Sequence, residues 1–407
     1  MTKSIIMVKV KDLFVVHLLC DIIWLPLWIV QKSIKRNPNI WIFGAWIGKG
    51  FLDNSKRVYE VILAEHPEIN AVWITKSKKI RNELKSKGMP VAMYNSPRGI
   101  WISLRAQYAI LSVNLLDFNE HCLNGIKQIW VWHGMPMKKI GYDLKALELT
   151  KPTLKDKIRS VFPYRKNIKP YYFLSTSRFF DGILQSAFHI DEAKILHYGL
   201  PRNDYFFSTT EESIISDIKK RFGNPTILLY MPTFRDYSLD HDKKSFDSFD
   251  KFHIDVERFY KILRDNNMVF LFKGHFYDLQ VNDFDKDLSE RFVKLDDSMY
   301  DNLYSVIKDV DILLTDYSSI YFDFLLLNKP VILTPFDYEE YIKISRPLYF
   351  DYYSIVDGKK AYSWNDVFDV LESKSYYVPQ RPTIEKFHDY IDGNSTHRLI
   401  DKLLDDK

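Results

Sequence analysis

Residues 311–337, DILLTDYSSIYFDFLLLNKPVILTPFD, decide how this chain folds. A short apolar run, Ile312–Leu314, passes through polar Thr315–Ser319 into the helical stretch IYFDFLLLN, and a second apolar run follows at Val331–Leu333. Buried strands joined through a helix run parallel, with the helix covering the sheet. The polar residues between strand and helix then lie at a strand's carboxyl end, where open α/β sheets bind their ligands.

The same alternation extends in both directions. Upstream, TILLYMPTFRD reads as strand and loop, DVERFYKILRDN as helix, MVFLFKGH as strand and MYDNLYSVIKDV as helix. TEESIISDIKKR, opening at Thr210, reads as a helix with a capping-box start. Earlier still, IWIFGAWIG, NAVWIT, YAILSV and IKQIWVWHG read as strands, with NSKRVYEVILAEHP and SKKIRNELKSKG as helices between them. The 407 residues exceed one hydrophobic core, so two doubly wound domains are expected. The divisions are an N-terminal segment 1–36, an acceptor-side domain 37–208 and a donor-side domain 209–407. No glycine-rich dinucleotide fingerprint or P-loop is present. The pattern therefore points to the α/β architecture called GT-B, two Rossmann-like domains facing a central cleft.

A net charge of +4 from scattered basic residues argues against a nucleic-acid binder and suits an anionic membrane surface or a phosphorylated substrate. The two cysteines, Cys20 and Cys122, have neither zinc-site spacing nor the number for a disulfide framework. Leu13–Val30, LFVVHLLCDIIWLPLWIV, is about long enough to span a bilayer, but His17, Asp21 and Pro26 interrupt it. Lys9, Lys11, Lys32, Lys35 and Arg36 flank it, and Trp24 and Trp28 favour the headgroup level. A membrane-associating helix lying in or dipping into the inner leaflet, on anionic lipid at the cytoplasmic face, is expected over a true span or a buried soluble helix.

Four segments place polar groups at strand ends: WHGMP, MPTFRD, FKGH and TDYSS. His133 is either a general base, since imidazole titrates near neutral pH, or a strand-end histidine bonded to a carbonyl. Arg235 either holds a pyrophosphate in bidentate fashion or pairs with a nearby acid. Lys273 and His275 fall on one side of a continuing strand, so a cation and an imidazole converge. Thr315, Ser318 and Ser319 stand where strand turns to helix, which makes an anion site, although Asp316 or Ser318 can serve as a plain cap. No cluster has metal-ligand spacing and no serine sits in a glycine-flanked elbow, so transfer without a metal or cofactor is expected.

In order along the chain, DNSK (53–56), WHGMPMKKIGYD, STSRFFDGIL, YGLPRNDYFF, MPTFRD, FKGH and DVDILLTDYSSIYFDFLLLNKPVILTPFDYEEY resemble the CDP-glycerol glycerophosphotransferase family of teichoic-acid and related polymer synthesis. The resemblance covers roughly residues 40 to 360. It implies a membrane-associated enzyme that moves glycerol phosphate from CDP-glycerol, or ribitol phosphate from CDP-ribitol, to a lipid-linked saccharide or growing polymer, with release of CMP. It makes His133 the base and His275 a second catalytic histidine at the donor phosphate. Arg235, Thr315, Ser318 and Ser319 would serve the pyrophosphate, joined by Lys273 from the strand-end reading. Asp323 matches a family position as well. The family usually has Thr where this chain has Met135 and Pro where it has Phe276, both beside proposed reactive groups and bearing on the acceptor. A GT-B glycosyltransferase using a nucleotide sugar, or a carbohydrate-binding protein without activity, would share the fold.

Overall fold

The structure is a computed structural model that describes residues 18–145, 154–165, 169–209, 214–233, 235, 252–274 and 289–406. Two all-parallel sheets organise it. The first contains β1 (Asn37–Gly44), β2 (Asn70–Thr75), β3 (Val91–Met93), β4 (Ala106–Leu111), β5 (Lys127–Trp130), β6 (Tyr172–Leu174) and β7 (Ile195–Leu196), in the order β3-β2-β1-β4-β5-β6-β7. The second contains β8 (Thr226–Met231), β9 (Met268–Phe272), β10 (Phe292–Lys294), β11 (Ile312–Thr315), β12 (Val331–Leu333) and β13 (Lys359–Lys360), in the order β10-β9-β8-β11-β12-β13.

These orders follow from burial. Every residue of MVFLF in β9, ILLT in β11 and VIL in β12 is buried, as parallel strands covered on both faces must be. Helices such as Asp53–Glu65 and Val256–Asp265 close the faces, and Asp255 caps the latter by accepting from Arg258 N–H at 3.0 Å. In each sheet the chain winds outward one way from a central strand and then reverses, so there are two switch points, β1/β4 and β8/β11. Loops leaving the carboxyl ends of these strands are the natural binding ground.

The expected donor-side domain, 209–407, ends in a helix that packs on the first sheet's side. Ser395–Asp405 receives the Tyr108 hydroxyl on Leu403 O at 3.1 Å. The Asp204 carboxylate accepts both the Thr396 N–H and its hydroxyl. The capping box at Thr210 lies outside the described residues.

At the N-terminus, residues 18–30 are helical and 1–17 lie outside the described residues. Among the described residues no helix is long and apolar enough to cross a membrane. The inward face of 18–30 carries Asp21, Trp24 and Trp28. Asp21 is buried 3.3 Å from His121 Nε2, and Trp24 stacks on the His121 ring. Trp28 is buried beside Tyr164 and so is not held at the surface as a headgroup anchor would be, while Trp24 is half-buried. Arg36 does not face outward either. Its guanidinium is held by the carbonyls of Ser103, Ala106 and Asn124, and burial pulls its pKa down to about 10. Lys32 and Lys35 remain exposed.

Candidate active site

The two switch points face each other across a cavity of about 330 Å³ lined by residues of both halves, among them Trp46, Asp53, Lys56, His133, Arg202, Ser318 and Ser319. His133 follows β5, and its Nδ1 lies 2.9 Å from the Ser112 carbonyl at the end of β4. A carbonyl only accepts, so Nδ1 carries the proton and Nε2 keeps its lone pair at the cavity that the ring lines. Burial lowers the imidazole pKa, with Asp53 partly opposing that and Arg202 adding to it. The ring is therefore neutral at pH 7 and able to accept a proton. The bond to a strand-end carbonyl is present, and it is compatible with the reading of His133 as a base because it fixes the ring's orientation.

The helix opening with DNSK holds this strand end in place. Asn54 Nδ2 donates to the carbonyls of Val131 and Trp132 at 3.0 and 2.9 Å, and Ser55 Oγ meets Ser112 Oγ at 2.9 Å. Lys56 Nζ crosses the cleft to the Asp301 carbonyl at 2.7 Å. Gly134 adopts φ +130°, and a Cβ there would stand 2.8 Å from Ser319 Oγ and 2.9 Å from an Arg202 nitrogen. The glycine after the histidine is thus required by the close approach of WHG to TDYSS.

Beneath the histidine lies a buried ion network that sequence reading did not assign. Arg202, from YGLPRND, donates to Asp53 Oδ1 at 2.8 Å, to the His133 carbonyl at 2.9 Å and to Asp323 Oδ2 at 2.6 Å. Tyr304 donates to the same Asp323 oxygen at 2.6 Å. The two carboxylates outweigh the desolvation of the guanidinium and hold its pKa above the usual arginine value. Asp323, without an assigned role in the sequence, proves to be the acid that clamps Arg202 across the halves. Its signal was present as an acid within an otherwise apolar helix, Ile320–Leu325.

The expected donor groups divide. Ser318 and Ser319 line the cavity ahead of helix Ile320–Leu325, as expected of an anion site. Thr315 does not reach it: the residue is fully buried and its hydroxyl donates to Met231 O at 2.8 Å, joining β11 to β8. Arg235 is 2% exposed and enclosed. Its Nε and one Nη grip both oxygens of Asp337 at 2.8 Å, that Nη also reaches Asp316 at 2.7 Å, and the other donates to Thr233 O at 2.6 Å. The Tyr317 and Tyr341 rings lie against it at 5.3 and 4.8 Å. So enclosed, the guanidinium has no edge open to a pyrophosphate. What it does is fasten the PTFR loop to the TDYSS loop, helped by Asp316, which accepts from Thr233 N–H at 2.7 Å and Tyr317 N–H at 2.6 Å.

Lys273 stands after β9 with its ammonium 2.6 Å from Asp297, and Asp297 lines the cavity. His275 and Phe276 lie outside the described residues. Met135 is fully buried with its sulfur 3.8 Å from Ser175 Oγ. Its departure from the family's threonine therefore concerns core packing, not the acceptor.

A neutral imidazole at one switch point, set against the hydroxyl-bearing Ser318 and Ser319 at the other, lies in a cavity between two doubly wound halves, an arrangement suited to group transfer. The chain belongs to the CDP-glycerol:poly(glycerophosphate) glycerophosphotransferase family, whose model matches residues 28–405. It is 27% identical over 380 residues to the teichoic acid glycerol-phosphate transferase of Staphylococcus aureus, covering 90% of this chain and 93% of that one. It is 26% identical over 387 residues to the teichoic acid poly(glycerol phosphate) polymerase of Bacillus subtilis, covering 92% of this chain and 49% of the other, so it spans about half of that relative. In three dimensions it is similar to the wall teichoic acid polymerase TagF, with a TM-score of 0.73 at 23% identity over 98% of this chain and 96% of that one.

Proposed function

We propose that this protein transfers glycerol phosphate from CDP-glycerol to a hydroxyl of a lipid-linked saccharide or polyol-phosphate polymer, releasing CMP, in teichoic-acid or capsule-like cell-surface polymer synthesis. The observation that carries the reading is the His133 imidazole, fixed by the Ser112 carbonyl with Nε2 left to accept a proton at the interdomain cavity. The acceptor hydroxyl attacks the phosphorus that bears glycerol and passes its proton to His133. The bond from that phosphorus to the CMP oxygen breaks, and the electron pair leaves with CMP. In-line positioning and stabilised charge are the requirements of such a step. The hydroxyls of Ser318 and Ser319 supply donors on the far wall, with Lys273 and His275 proposed to complete the donor side. Residues 37–208, with the C-terminal helix packed on them, form the proposed acceptor side, and the second sheet with its helices the donor side.

A donor screen tests this. With a synthetic lipid-linked acceptor, CMP release is expected with CDP-glycerol and weaker release, or none, with CDP-ribitol. Preference for CDP-ribitol would change the transferred alcohol, and turnover only with a nucleotide sugar would make the protein a glycosyltransferase.

We further propose peripheral attachment at the cytoplasmic face of the membrane. Helix 18–30 turns Leu19, Ile22, Ile23, Ile29 and Val30 outward at helical spacing, with Ile23 71% exposed. Its neighbour across the Trp28–Tyr164 contact, the segment 154–165, exposes Leu154, Ile158 and Val161 in the same manner. Two apolar stripes beside exposed lysines suit an anionic bilayer surface. The double variant Ile23→Glu, Val161→Glu is expected to stop co-flotation with phosphatidylglycerol vesicles while CMP release from a soluble acceptor persists. Unchanged flotation would remove these helices from the membrane contact.

A further inference from the structure

Immediately after β1, Trp46, Ile47 and Gly48 all adopt positive φ, at 50°, 60° and 75°. A β-branched residue such as Ile47 enters this region only where its surroundings enforce it, and such strain gathers at functional sites. The enforcement comes from Asp117, which is fully buried. One of its oxygens accepts the Ile47 N–H at 2.6 Å, and the other accepts the N–H groups of Ser112 and Val113 at 3.0 and 3.1 Å. Ser112 is also the residue whose carbonyl orients His133. One carboxylate therefore ties the strained turn to the base.

The turn displays an indole. Trp46 is 43% exposed at the cavity wall, its ring centre is 5.7 Å from that of His133 and its plane is inclined by 50°. Its Nε1–H is spent on Asp53 Oδ2 at 3.2 Å, which fixes the ring and leaves its flat surface as what it can offer. Ile47 and Leu52, similarly exposed, flank it with further apolar area. Core packing does not account for a large ring held half in water by a strained backbone beside a base.

We propose that Trp46 is the platform of an acceptor subsite that stacks against a saccharide ring, presenting that sugar's hydroxyl to His133. This rests on the transfer reading above and narrows its acceptor. A pyranose offers a face of C–H groups that suits the negative face of an indole, with hydroxyls at its edge, whereas an acyclic glycerol phosphate offers a charge and no such face. The acceptor this site selects is thus a chain ending in a sugar, over one ending in glycerol phosphate.

The test compares wild type, Trp46→Ala and Trp46→Phe on two soluble lipid-linked acceptors, one ending in the saccharide and one already carrying glycerol phosphate. Trp46→Ala is expected to raise KM for the saccharide-ended acceptor about tenfold, the upper range for an aromatic contact. KM for CDP-glycerol and for the glycerol phosphate-ended acceptor should hold, and phenylalanine should restore most of the loss. An equal rise for both acceptors, or none, overturns the proposal. Thermal unfolding verifies that the variants fold, and Trp46→Leu replaces the alanine variant if that one does not. Calorimetric titration of the saccharide-ended acceptor into wild type and variant, without donor, reads the platform separately. If no donor yields CMP, the transfer reading falls, while a weaker calorimetric affinity in the variant still supports the stacking site.

Discussion

Replacing His133 with alanine is expected to lower the rate of CMP release by about a hundredfold or more, the scale of a lost general base. Donor affinity should stay close to wild type, because the proposed donor groups lie on the opposite wall with Ser318 and Ser319. The imidazole is also expected to set the acid limb of the pH profile. Burial lowers its pKa, so the neutral, proton-accepting form persists below the ordinary histidine value near 6.5. Activity should therefore hold as pH falls through that value and decline only further into acid, and the limb should vanish in the variant. Equal CMP release by variant and wild type in a stopped assay would show that the base is another group.

The second large effect concerns stability. Arg235→Ala removes the shared partner of Asp316 and Asp337, both buried, and leaves two carboxylates without their cation. Breaking a buried pair from one side typically costs about 3–5 kcal/mol. Unfolding by urea should show a loss of that order. Arg235→Lys should recover little of it, since an ammonium cannot match the two-point grip on Asp337. CDP-glycerol affinity per folded molecule is expected to change only through the loosened TDYSS loop. Wild-type unfolding together with abolished donor binding would return Arg235 to the pyrophosphate.

Much of the fold was legible because parallel strands buried on both faces leave continuous apolar runs, and β2, β9, β11 and β12 stand where such runs stand. The short edge strands β10 and β13 were not, since two or three residues carry no periodicity and become strands only by pairing with β9 and β12. In the site, the sequence alone placed the polar loops at strand ends, and this sufficed to bring His133 and Ser318–Ser319 to one cavity. It could not say which polar side chains would be consumed internally. Arg235 finds Asp337 at a separation of 102 residues, Arg202 finds Asp323 at 121, and Thr315 finds the Met231 carbonyl at 84. Local pattern determines strand, helix and turn, because these depend on neighbours within a few positions. Whether a guanidinium faces a ligand or an acid depends on what the folded chain sets beside it, and only the tertiary structure decided that Arg235 braces the site while His133 and Trp46 remain at the cavity.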